Sequence, residues 1–123
     1  MQVTREELIY IHKRIWNSLY RVIKKLGKIT PSDVQFYKDG LLCDIYNENI
    51  VSNEALDYVY KHSSCVLCCL YSSDFCNNCP LQDCTTPESL YQQILKGSPE
   101  ACLKIRDSIY VANIPEYIEI PEE

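Results

Sequence analysis

The sequence predicts an all-α fold, a small helical domain whose helices surround a central cysteine-bearing loop. Three observations carry that prediction. Apolar residues recur at spacings of three and four along the first 26 residues, helix-start signatures recur down the chain, and six of the eight cysteines fall within residues 65–84 in a loop-like stretch. At 123 residues and 46 % hydrophobic composition, the chain fits a single domain, 1–123, with a modest core, near the size where a cross-link or bound ion still adds useful stability.

Taking the elements in order, Thr4-Arg5-Glu6-Glu7 reads as a capping box that starts a long helix over residues 5–26. Leu8, Ile11, Ile15, Leu19, Val22, Ile23 and Leu26 form its apolar stripe, and Gly27 stops it. Thr30-Pro31 marks a second start, with Pro at the first helical position, and Asp39-Gly40 is expected to close that short segment. Residues 41–46 are too short and mixed to assign. Ser52-Asn53-Glu54 opens a third helix in which Leu56, Val59 and Tyr60 share a side, ending near His62-Ser63-Ser64 just before the first cysteine. Beyond the cysteines, Thr86-Pro87-Glu88 starts a helix ending at Gly97, and Ser98-Pro99-Glu100 starts the last, so the C-terminal helices span about 87–112. The tail 115–123, PEYIEIPEE, is acidic and is expected to fray.

The cysteines supply the chemistry. Cys65 and Cys68 make one C-x2-C, and Cys76 and Cys79 make a second after seven intervening residues. Each C-x2-C turn points two sulfurs at one centre, and two of them build the tetrahedral four-thiolate shell that zinc prefers, with Zn–S near ~2.3 Å. Asn77-Asn78 and Pro80 suit the tight turn of the second knuckle. Cys84 lies five residues past Cys79 and is an alternative fourth ligand, and His62 stands in H-x2-C spacing before Cys65. Cys69, Cys43 and Cys102 are expected to be small apolar core residues. Iron–sulfur ligation shares the same spacing, whereas a thioredoxin-like centre needs a βαβ setting that is missing here. A shell filled by sulfur leaves no position for catalytic water, so the zinc is expected to be structural and coupled to folding.

No phosphate-cradling glycine loop, G-x-S-x-G or H-E-x2-H motif occurs, and the chain has only three glycines and two histidines. His12, beside Lys13 and Arg14, is expected to be exposed. These points argue against an enzyme. The charge is divided: residues 1–28 carry +5 and residues 29–123 carry −10. The acidic body repels phosphate, which disfavours direct nucleic-acid binding, and attracts a basic protein surface. Trp16, Tyr10 and Tyr20 among the cations of the first helix offer stacking, and the ten tyrosines suit a protein interface. The N-terminal segment is charged every few residues, so neither a signal peptide nor a membrane span is expected, and the cysteines fit a reducing cytoplasm.

EELIYIHKRIWNSLY, the CVLC and FCNNCPL knuckles with Cys84, and SIYVANIPE together resemble a group of small proteins encoded by phages and prophages of Gram-positive bacteria. The resemblance rests on His12, Trp16, Cys65, Cys68, Cys76, Cys79, Pro80 and the stretch Asn113 to Pro115, and touches both ends and the middle of the chain. It departs from the group after the Cys-Pro, where Gln82 replaces the pattern of a Trp followed by a Gly-Tyr pair. The resemblance implies a phage accessory protein acting in the cytoplasm of a bacterial host. Combined with the acidic body, it leads to the expectation of a zinc-stabilised inhibitor, similar to anti-CRISPR proteins, directed at a host defence protein such as a type II CRISPR effector nuclease. The alternative is a small nucleic-acid-binding zinc module acting as a phage regulator through the first helix.

Overall fold

The computed structural model describes residues 2–62, 64–67, 89–112 and 114–120. Its elements, in chain order, are β1 (Gln2–Thr4), α1 (Arg5–Leu26), α2 (Pro31–Glu48), α3 (Asn53–Tyr60), α4 (Leu90–Leu95), α5 (Pro99–Asp107), a 3-10 turn (Ser108–Tyr110) and β2 (Tyr117–Glu119). Helices dominate, as expected, with one small antiparallel sheet added.

Helix α1 is the central element, and it begins and ends where its sequence signals stand. The Thr4 hydroxyl accepts from the Glu7 backbone while the Glu7 side chain reaches back to the Thr4 backbone, and Gly27, at φ 81°, takes the positive-φ position that ends the helix. Its buried face is Leu8, Ile11, His12, Ile15, Trp16, Leu19 and Ile23, whereas Val22 is only half-buried and Leu26 is exposed. α5 packs most extensively along α1, α2 lies against it on another side, and α4 rests on α5. The core joins the α1 stripe to Val34, Leu42 and Ile45 of α2, Leu56 and Val59 of α3, Ile94 of α4, and Cys102 and Ile105 of α5.

The second helix departs from the expected boundary. α2 runs straight through Asp39-Gly40 to Glu48, so residues 41–46 are helical. An interior glycine costs a helix roughly 1 kcal/mol relative to alanine. Here Val34, Lys38, Leu42 and Ile45 continue one buried stripe across it, and the burial of Leu42 and Ile45 outweighs that loss. Cys43, the next residue after Leu42, consequently faces outward and is exposed rather than core. Tyr60 likewise points to solvent while Leu56 and Val59 are buried.

The described part of the tail, residues 115–120, is also more ordered than expected. β2 pairs antiparallel with β1 in the register Gln2↔Glu119, Val3↔Ile118, Thr4↔Tyr117. The Arg5 N–H continues the pairing to the Glu116 carbonyl at 2.9 Å, and Arg5 Nε donates to the Ile114 carbonyl at 3.0 Å. Val3 is fully buried, so the sheet closes the end of the helical body.

The C-terminal helices are shorter than the expected span. The expected start at Thr86-Pro87-Glu88 lies outside the described residues, and α4 is capped instead by the Ser89 hydroxyl, which accepts from the Gln92 N–H at 3.2 Å. α4 ends before Gly97, whose φ of 98° favours glycine. There the chain crosses the α1–α2 link: Ile29 N–H donates to the Leu95 carbonyl at 3.3 Å, and a Cβ on Gly97 would stand 3.3 Å from the Gly27 carbonyl carbon.

Candidate metal centre

Of the expected ligands, Cys65 is described, whereas Cys68, Cys76, Cys79 and Cys84, like Cys69, lie outside the described residues. Cys65 follows α3 in a turn that α2 holds in place. Gln35 Nε2 donates to both Asp39 Oδ1 (2.8 Å) and Ser64 Oγ (3.2 Å), and Ser64 Oγ donates in turn to Asp39 Oδ1. Ser64 is buried and adopts φ 55°, a left-handed conformation that a non-glycine residue keeps only when its surroundings enforce it. The Cys65 N–H donates to the His62 carbonyl at 3.2 Å, and Val66 and Leu67 are fully buried just beyond. Backbone on both sides of Cys65 is therefore anchored, and its sulfur enters the protein interior.

His62 is also placed. Its Nδ1 lies 2.9 Å from the Tyr58 carbonyl, and since a carbonyl only accepts, Nδ1 carries the proton and Nε2 holds the lone pair. Its ring packs edge-on against Tyr58, with centroids 4.9 Å apart.

His12 reverses its expected placement: it is completely buried on the inner face of α1. It stands four residues after Leu8 and three before Ile15, within the apolar stripe, and that spacing was the available signal; the neighbouring Lys13 and Arg14 pointed the other way. Nε2 is 2.9 Å from the Ile105 carbonyl on α5, which makes Nε2 the protonated nitrogen. Nδ1 is then an acceptor, and it has no hydrogen-bond partner among the described residues. Leaving a buried acceptor unsatisfied costs about 1–3 kcal/mol. Burial depresses the imidazole pKa, outweighing the Ile105 carbonyl, Cys65 and the Arg106 backbone, which favour its charged form; Lys38 lowers it further. The ring is thus neutral at pH 7.

Trp16 and Lys38 complete this region. Trp16 is buried, so it is not a base-stacking side chain of the first helix, and its ring centroid is 6.3 Å from that of His12. The Lys38 ammonium lies 5.5 Å from the Trp16 ring centroid, in a residue only 6 % exposed, and makes no ion pair among the described residues. A cation held this deep calls for a nearby negative group. Cys102, at the α1–α5 contact, is a core thiol as expected; its burial pushes the pKa up to about 12, so it stays protonated. No three His, Cys, Asp or Glu side chains among the described residues converge in a way that would hold a metal ion.

A second feature lies between α2 and α3, a groove of about 670 Å³. Leu42 and Leu56 form its floor, and Tyr46, Tyr60, Cys43, Asp39 and Asp57 its sides. Residues 31–60 carry six acidic side chains (Asp33, Asp39, Asp44, Glu48, Glu54 and Asp57) against the single Lys38, a net −5. Two of the acids have basic partners: Glu48 accepts from Arg14 at 2.6 Å, and Asp57 from Lys61 at 3.0 Å.

The opposite character gathers where α1 ends. Arg21, Lys24, Lys25 and Lys28 are exposed there, and the Gly27–Gly97 crossing brings Lys96 to the same end. No described helix is long and apolar enough to cross a membrane. The chain matches no known protein family, no characterised protein and no solved structure closely enough to lend it a fold or a function.

Proposed function

We propose that this chain is a phage-encoded, zinc-stabilised, non-enzymatic protein that binds and inhibits a host defence protein in the bacterial cytoplasm, with a type II CRISPR effector nuclease as the target. The zinc is structural, held by Cys65 with Cys68, Cys76 and Cys79, and with Cys84 as the alternative ligand. The observation that carries the inhibitory reading is the α2–α3 face: an apolar-floored groove flanked by Tyr46 and Tyr60 on a segment of net −5. Exposed tyrosines around an apolar floor are the composition of a protein interface, and a negative field steers such a face toward a basic channel built to hold nucleic acid. The test is a reconstituted target-cleavage assay with the purified effector and guide, run beside plaque counts in cells expressing the chain. Cleavage and phage restriction should both fall with the wild-type chain, and Tyr46→Ala combined with Glu54→Lys should restore them. Undiminished cleavage and restriction with a folded wild-type chain would remove the proposal.

A second reading keeps support from the basic end formed by Arg21, Lys24, Lys25, Lys28 and Lys96, namely a small nucleic-acid-binding regulator. It is weakened by the burial of Trp16 and by the engagement of Tyr10, whose hydroxyl donates to Glu48 and accepts from Arg14. It requires DNA or RNA affinity that falls steeply with salt and is lost in Lys24→Glu, Lys25→Glu. Absence of binding at low salt ends it.

A further inference from the structure

We propose that His12 is a metal ligand, its Nδ1 binding the same zinc ion as the Cys65 thiolate. This inference rests on the structural-zinc reading and deepens it, because it replaces one of that reading's four thiolates with an imidazole from α1.

Four observations converge. His12 is completely buried, and its Nδ1 is an acceptor without a partner among the described residues. Nε2 donates to the Ile105 carbonyl, so the tautomer and ring plane are already set; a backbone carbonyl on the far nitrogen is the usual support of a metal-bound imidazole. Cys65 is buried and is one of the groups that act electrostatically on the His12 ring, and the chain around it is pinned from α2 through Ser64. Finally, Lys38 places a buried positive charge beside the same ring and Trp16, and a zinc centre carrying more than two thiolates has net negative charge to meet it. With His12 bound, two positions rather than three remain for other thiolates, and α1 and the cysteine-bearing segment are joined through the metal.

The two histidines are separable without any substitution. His62 holds its proton on Nδ1 against Tyr58, so it would ligate through Nε2, whereas His12 ligates through Nδ1. The experiment uses the full chain purified with its zinc. X-ray absorption counts nitrogen and sulfur neighbours, at about 2.0–2.1 Å and 2.3 Å respectively. Exchange of zinc for cadmium-113 in a chain with nitrogen-15 histidine then reports which ring nitrogen couples to the metal. The expected result is one nitrogen per metal, coupled through Nδ1, unchanged in His62→Gln and lost in His12→Gln, with metal retention against a chelator weakened in His12→Gln by more than about 10-fold, the scale already reached by partners one shell further out. Should His12→Gln fail to fold, the wild-type coupling decides. Four sulfurs and no nitrogen overturn the His12 assignment and leave the zinc reading standing, and coupling through Nε2 overturns it in favour of His62. Purified chain that contains no zinc, and whose helicity is indifferent to chelator and to added zinc, overturns both.

Discussion

Glu7 joins two helix starts, which makes it the most informative single substitution in the helical body. Its Oε1 accepts from the Thr4 N–H at 3.1 Å and the Thr4 hydroxyl at 3.2 Å, closing the capping box of α1, while Oε2 accepts from the N–H of Ser52, the N-cap of α3, at 2.8 Å. Losing a capping interaction costs about 0.5–2 kcal/mol. Leaving the partly buried Ser52 N–H unpaired adds about 1 kcal/mol, the low end for a lost partner because water retains some access. Glu7→Ala should therefore destabilise by about 1.5–3 kcal/mol, and at about 4 °C per kcal/mol for a domain of this size the midpoint falls by about 6–12 °C. Glu7→Gln keeps one carbonyl oxygen and should lose about half as much. Burial alone would raise the Glu7 carboxyl, but the bonds from Ser52 and Thr4 outweigh it and hold it below the ordinary carboxylate value. A depressed folded-state pKa means the stabilisation is fully present above the unfolded value of about 4.3 and is lost as pH falls through the folded value. The gap between wild type and Glu7→Gln should accordingly stay level from pH 8 to about 5.5 and narrow below about 4.3. Urea unfolding followed by circular dichroism at several pH values measures both effects. A Glu7→Ala variant within about 0.5 kcal/mol of wild type, the range of an ordinary surface change, would show that the two helix starts are not coupled through this carboxylate.

Three further outcomes follow from the backbone and the thiols. Gly40 sits in the α2 interior with open space where a Cβ would go, so Gly40→Ala should raise stability by about 0.5–1 kcal/mol, read as a higher urea midpoint. Gly97→Ala meets both a positive φ and the Gly27 backbone at 3.3 Å, and should cost about 2 kcal/mol or more, exceeding Gly27→Ala, whose site is strained but open. In native protein at pH 8, mass spectrometry after brief alkylation should find Cys43 modified and Cys102 untouched, the latter becoming reactive only in denaturant; equal labelling of the two would contradict the packing of α5 on α1.

What the sequence made legible was whatever is decided locally. The capping box at Thr4, the glycine stop at Gly27, the Pro31 and Pro99 helix starts and the α1 stripe, apart from Val22 and Leu26, depend on neighbours within one or two turns, and they stand where their residues put them. Long-range packing accounts for the rest. Gly40 lies inside α2 because Leu42 and Ile45 find a core beyond it. His12 is buried because α5 offers it the Ile105 carbonyl, 93 positions away. Residues 117–120 alternate Tyr, Ile, Glu, Ile, which is a strand's period, yet the acidic composition of the tail concealed it and the partner strand lies at the other end of the chain. Of the candidate metal site, the cysteine spacing was legible while the proposed imidazole ligand from α1 was not, since no local motif links a helix residue near the start to a thiol 53 positions later.

The β1–β2 clasp has a consequence for the order in which the protein is made. Gln2 and Glu119, joined side chain to side chain at 2.8 Å, are separated by 117 positions, so their pairing closes a loop as long as nearly the entire polypeptide. Loop closure of that length carries an entropic penalty that only an already assembled helical body reduces. The edge of β1 stays unpaired until residues 116–119 have been made, after every described helix has been synthesised. The clasp is therefore a late contact: β1 presents an unpaired edge until residues 117–119 reach it, and their pairing conceals that edge.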